Sequence, residues 1–133
     1  MTAAPLPSMT LPRSQLVEIL AAELPVEWDV LPLDNDPDAI TDTTVIVRIA
    51  EAVPAPEMPH GVRRYTFSCV VAVPQLDTST AALVLDDALE QLLYVVDRAE
   101  LTQWARATRG ILAGPEVPCY DVAVTVTATQ ETA

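Results

Sequence analysis

From Arg63 to Val73 the sequence alternates without a slip, with Tyr65, Phe67, Cys69, Val71 and Val73 on one side of an extended chain and Arg64, Thr66, Ser68, Val70 and Ala72 on the other. A shift of one residue would exchange the two sides, so a sheet that includes this run has a specified register. A second alternation, from Cys119 to Thr129, sets Tyr120, Val122, Val124, Val126 and Ala128 against Asp121, Ala123, Thr125, Thr127 and Thr129. Between the two runs the period changes. Pro74 ends the first strand, Asp77, Thr78, Ser79 and Thr80 offer N-caps, and Ala82, Leu85, Ala88, Leu89, Leu92, Leu93 and Val96 then recur at helical spacing. Asp86, Asp87, Glu90 and Gln91 fall on the opposite side, so the helix is expected to pack on the sheet and turn its acid outward. Its early carboxylates also suit the N-terminal end of the helix dipole.

The remaining segments add one helix and three strands. Leu16, Ile19, Leu20 and Leu24 have helical spacing within Leu11 to Leu24, where Thr10 is a candidate N-cap, Pro12 suits the first turn and Pro25 is a stop. Val26 to Leu33 contains a short β-like run around Trp28, Val30 and Leu31, and Asp34-Asn35-Asp36-Pro37-Asp38 is turn chemistry. Thr44 to Glu51 is β-branched at most positions and apolar enough to predict a central strand buried on much of both faces. Val53 to Gly61, with Pro54, Pro56 and Pro59, is expected as an extended connection. Trp104 to Leu112 is a further strand whose broken alternation predicts a bulge, and Gly114 to Pro118 should turn the chain. The order helix, three strands, helix, two strands predicts a single α+β domain: a mixed or antiparallel sheet of about five strands with both helices against one face. The domain is expected over 11–129, with a flexible arm at 1–10 and a tail at 130–133.

Composition supports a folded chain and narrows its partners. Half of the 133 residues are hydrophobic and the mean hydropathy is +0.28, which argues against disorder despite a net charge of -12. No run of eighteen or more apolar residues exists and Met1 to Thr10 lacks a basic start, so neither a membrane span nor a secretory signal is expected. Nineteen acidic residues against seven arginines disfavour binding to nucleic acid through its phosphates. A channel that must release DNA remains compatible with that charge.

The residue patterns that carry chemistry are incomplete. His60 is the sole histidine and has no nearby partner for a triad or a Cys–His pair. Cys69 and Cys119 lie in strands without CxxC spacing and are expected as reduced packing residues. Asp34, Asp36 and Asp38 have the spacing that opens a calcium loop, but Ala39 and Val45 stand where glycine and the bidentate glutamate are needed. Asp86 and Asp87 are adjacent on a helix and diverge, so they cannot flank one bond. Gly61, Gly110 and Gly114 form no phosphate-binding loop. Arg63-Arg64-Tyr65-Thr66-Phe67 interleaves basic and aromatic residues, and in so acidic a chain the arginines are expected to pair with carboxylates of the domain or a neighbour. No catalytic residue, cofactor or metal is expected.

The order of elements resembles the tail terminator proteins of long-tailed (siphovirus-type) phages. The residues that carry the resemblance are the helix ending Leu24-Pro25, the strand with Val30 and Leu31, and the acidic loop leading to Thr44-Val45-Ile46-Val47-Arg48. It continues through Val71-Ala72-Val73, the Ala- and Leu-rich helix from Ala81, and Tyr120-Asp121-Val122-Ala123-Val124-Thr125-Val126. The resemblance implies a virion protein, assembled in the host cytoplasm, that forms a homohexameric ring on the tail tube and stops its polymerisation. It further implies contact with the tube protein and a head-side connector, and a lumen through which DNA passes. Another head–tail connector, neck or tail-completion subunit would share these features; a small-molecule-binding α+β domain is the alternative outside phages. An acidic lumen would keep DNA from adhering. Candidate docking residues lie in and beside the two proline-containing loops: Asp34, Asp36 and Asp38 in one, Pro54, Pro56, Met58 and Pro59 in the other, with Arg63 and Arg64 following. Plain strand connection is an equal reading of those loops.

Overall fold

The computed structural model describes residues 12–34, 37, 39–54, 62–74, 78–99, 102–112 and 116–129. The elements follow in the order α1 (Pro12–Glu23), β1 (Asp29–Leu31), β2 (Thr44–Pro54), β3 (Val62–Ala72), α2 (Thr78–Arg98), β4 (Thr102–Leu112) and β5 (Val117–Thr129). The strands form one five-stranded sheet in the order β1-β2-β3-β5-β4, parallel at β1/β2 and antiparallel at the other pairings. Both helices lie against the sheet, so the expected α+β architecture is the one observed. The expected arm at 1–10 and tail at 130–133 lie outside the described residues.

Helix α2 explains the strand order. Its 21 residues rise about 31 Å at 1.5 Å per residue, close to the length of an eleven-residue strand, so the chain returns to the end of the sheet where β3 began. Strand β4 then runs parallel to β3 with one strand position between them, and β5 turns back into that gap. Glu116, the residue before β5, takes a positive φ of 56° in the turn that reverses the chain.

The alternation along β3 divides the interior into two. Phe67, Cys69, Val71 and Val73 join Val45 and Val47 of β2 and Val122, Val124 and Val126 of β5 beneath the helices. From α1 come Leu16, Leu20 and Leu24, and from α2 come Leu85, Ala88, Leu92, Val95 and Val96. Opposite them, Ile46, Val70, Ala72, Leu112, Val117 and Cys119 form a smaller cluster against which Ile40 packs. Thr44 is the buried polar residue among those described, and its hydroxyl donates to the Asp42 carbonyl at 2.9 Å, as burial requires.

Three expectations are corrected. Strand β2 is not central along its length: β1 pairs only with Thr44, Val45 and Ile46, and Ile49 to Ala52 are exposed. Val53 and Pro54 belong to β2, paired with Arg64 and Arg63, rather than to a connection. Proline is tolerated there because the outer side of β2 beyond Ile46 has no neighbouring strand among the described residues, so a missing donor need cost no ladder bond. Likewise Val117 and Pro118 already pair with Leu112 and Ile111, which starts β5 before Cys119. The expected bulge in β4 is present as a register shift between Trp104 and Arg106.

Phe67 is fully buried at the centre of the helix-side core, so Phe67→Ala should lower the unfolding free energy by about 3–5 kcal/mol. Ile111→Ala, at a residue that is 74% exposed, should change it by less than about 0.5 kcal/mol. Urea denaturation followed by circular dichroism measures both.

Candidate functional site

No described element covers the side of the sheet away from the helices beyond its apolar end, and the strand registers place its side chains in rows. Arg48 of β2 pairs with Ser68 of β3, Ser68 with Ala123 of β5, and Ala123 with Arg106 of β4. Two small residues therefore lie between two arginines whose backbones are three strand spacings apart, about 14 Å. The next row reads Ile46, Val70, Asp121 and Thr108. Together these rows bound a depression of about 500 Å³ with Val70, Leu112 and Cys119 on its apolar side. The Ser68 hydroxyl donates to the Asp121 carboxylate at 2.6 Å, which fixes the acid within the trough. Arg109 borders the same depression, while its guanidinium lies 5.5 Å from the centre of the Tyr120 ring.

The helix layer is acidic. Helices α1 and α2 contain six carboxylates and two arginines, Arg13 and Arg98, whereas the strands contain five arginines and three carboxylates. Two of the outward acids on α2 anchor the sheet. Tyr120 donates its hydroxyl to Asp86 at 3.0 Å, and the Trp104 indole N–H donates to Asp97 at 2.9 Å. The Thr102 hydroxyl completes the attachment by donating to the carbonyl oxygens of Val96 at 2.9 Å and Ala99 at 2.8 Å, which caps the end of α2. Leu83, Asp87, Glu90 and Tyr94 form an exposed stripe at helical spacing, with an apolar residue at each end. Gln91 donates to Asp87 at 2.7 Å, and the Arg98 guanidinium lies 5.3 Å from the Tyr94 ring centre. The expected acid face of α2 is therefore half apolar.

Four of the nine residues selected from the sequence are among those described. Asp34, three residues beyond β1, accepts an ion pair from Arg13 of α1 at 3.1 Å. Arg63 and Arg64 start β3, paired with Pro54 and Val53 of β2. Asp36, Asp38, Pro56, Met58 and Pro59 lie outside the described residues, as does His60. The Arg48–Arg106 trough escaped the sequence because it is made by pairing strands distant in the chain; an arginine interrupting the apolar run Thr44 to Ile49 is the one local sign of it.

Among the described residues no group of three or more His, Cys, Asp or Glu is placed to hold a metal ion. No helix among them is long and apolar enough to cross a membrane. Cys69 and Cys119 are free thiols, both buried, on opposite faces of the sheet. Burial, aided by the negative charge of Asp121, pushes the Cys69 thiol from its ordinary value of 9.0 up to about 12. In comparisons with known proteins, no family model and no curated sequence matches the chain.

The folded value of Cys69 lies above the unfolded one, so its contribution to stability is complete below pH 9.0 and is lost as the pH rises toward about 12. Iodoacetamide near neutral pH should leave Cys69 unmodified in the native chain and alkylate it in urea, as read by mass spectrometry. Over the same alkaline range Cys69→Val should lose less stability than the parent. At the surface, Asp34 has a side chain 64% exposed, so Asp34→Ala should shift the unfolding free energy by less than about 1 kcal/mol.

Proposed function

We propose that the chain is a structural assembly subunit that acts as the tail terminator of a long-tailed phage. In this role it closes into a ring on the end of the tail tube, stops tube growth and offers the head-side connector its attachment surface, with DNA passing through the ring. The observation that supports assembly most directly is the difference between the two sides of one sheet. One side is sealed by α1 and α2, whose outer surface is rich in carboxylates, and the other exposes a trough flanked by Arg48 and Arg106. A subunit that joins copies head to tail needs two unlike, complementary surfaces, and the unlike faces of this sheet support that reading. The order and texture of the elements, similar to those of tail terminators, select the particular assembly.

The reading is tested with the purified full chain, by its mass in solution and by negative-stain imaging with and without tail tubes. Rings capping tube ends are expected. Failure to engage tubes, together with turnover of a small metabolite, would overturn it, and binding to the head-side connector without binding to tubes would move the chain to a neighbouring position in the neck.

A further inference from the structure

We propose that the outer stripe of α2 in one copy lies in the arginine-flanked trough of a second copy, so that each sheet is covered on one side by its own helices and on the other by a neighbour's helix. The inference rests on the reading of this chain as a self-assembling subunit and names the surfaces through which it assembles.

The trough has the dimensions of a helix. Arg48 and Arg106 stand about 14 Å apart with Ser68 and Ala123 between them, and an α-helix with its side chains is about 10–12 Å across. Val70 and Leu112 line the depression with apolar surface. The stripe on α2 is its complement: Leu83, 72% exposed, and Tyr94, 61% exposed, bracket Asp87 and Glu90. Docked in the trough, the stripe brings two carboxylates between two guanidiniums and removes both exposed apolar residues from water.

Charge complementarity selects a second copy as the occupant. The chain carries a net charge of -12, yet the trough is lined by Arg48, Arg106 and Arg109 against a single carboxylate, Asp121, and an acidic surface that would meet it is on the chain's own helices. Helix and trough lie on opposite sides of the same protomer, so a chain cannot satisfy the contact internally. The contact joins unlike surfaces and leaves one of each unused on every dimer, which adds copies until the arrangement closes.

The orientation of α2 is fixed before docking. Tyr120–Asp86, Trp104–Asp97 and the Thr102 cap hold the helix by contacts that leave Asp87 and Glu90 on the outer side. Association therefore orders little that is not already ordered.

The test uses sedimentation of the full chain at low and high salt, with negative-stain imaging on tail tubes, for the parent, Arg106→Glu, Glu90→Arg and the double variant. Arg106 and Glu90 are exposed, and unchanged circular dichroism and thermal midpoint will show that each variant folds. Each single reversal should weaken association on the order of tenfold or more, and the double reversal should return most of it. Association of the parent should weaken with added salt. If the parent forms rings and both single variants form them equally well, this interface is wrong while the assembly reading stands. A parent that never associates, alone or on tubes, overturns both.

Discussion

Because side chains alternate along β3, Phe67, Cys69, Val71 and Val73 enter the core beneath the helices while Val70 and Ala72 enter the cluster opposite. A slip of one residue would bring Arg64, Thr66 and Ser68 against the apolar stripe of α2 and turn Phe67 outward, so the remaining elements are arranged around this parity. Strands β2 and β5 follow it through paired rows, as Val47 opposite Cys69 and Cys69 opposite Val122 illustrate. Two helices suffice to cover one face of a five-stranded sheet. The described residues hold no third, and what the second face receives among them is Ile40 at its apolar end and polar side chains elsewhere.

The attachment of α2 shows how acids on one helix divide their tasks. Asp86 and Asp97, eleven residues or about three turns apart, reach down from the same side of the helix to Tyr120 and Trp104, and together they fix its roll about its own axis. Asp87, which accepts from Gln91, and Glu90 are on the outer side of the helix. Such a division is invisible in the heptad-like pattern of the sequence, where Asp86 and Asp87 read alike. It depends on which of the two faces the edge of β5 and β4, and that is set by the crossover.

Local periodicity made most of the fold legible. The alternations of β3 and β5 and the stripe of α2 are properties of ten to twenty adjacent residues, and their faces are found as the sequence implied. The bulge in β4 was legible for the same reason, since Trp104 cannot share a face with Ala107 and Ile111 in unbroken alternation. Neighbour order was not legible. Thr44 to Glu51 has the composition of a strand between strands, but β1 is three residues long, so burial ends at Val47 and exposure begins at Ile49. The trough was not legible for a related reason: proline-containing loops announce themselves locally, whereas Arg48 and Arg106 become a pair only through three strand pairings.

The sheet edges bear on how copies of such a chain could meet. Strand β4 is an eleven-residue edge, long enough to invite strand pairing, but it is kinked between Trp104 and Arg106 and carries Arg106 and Arg109. The other edge is broken twice, since β1 covers only the start of β2 and a register shift between Ile49 and Glu51 distorts the rest. Bulges and charges of this kind are what keep sheets from extending indefinitely through backbone pairing. The faces carry no such obstruction: the helix side is acidic, and the other holds a trough lined by Arg48, Arg106 and Arg109. In the proposed assembly, edges that resist open-ended growth and faces that differ direct association to helix-on-sheet contact, where side chains rather than backbone choose the partner and the angle between copies decides whether the assembly closes.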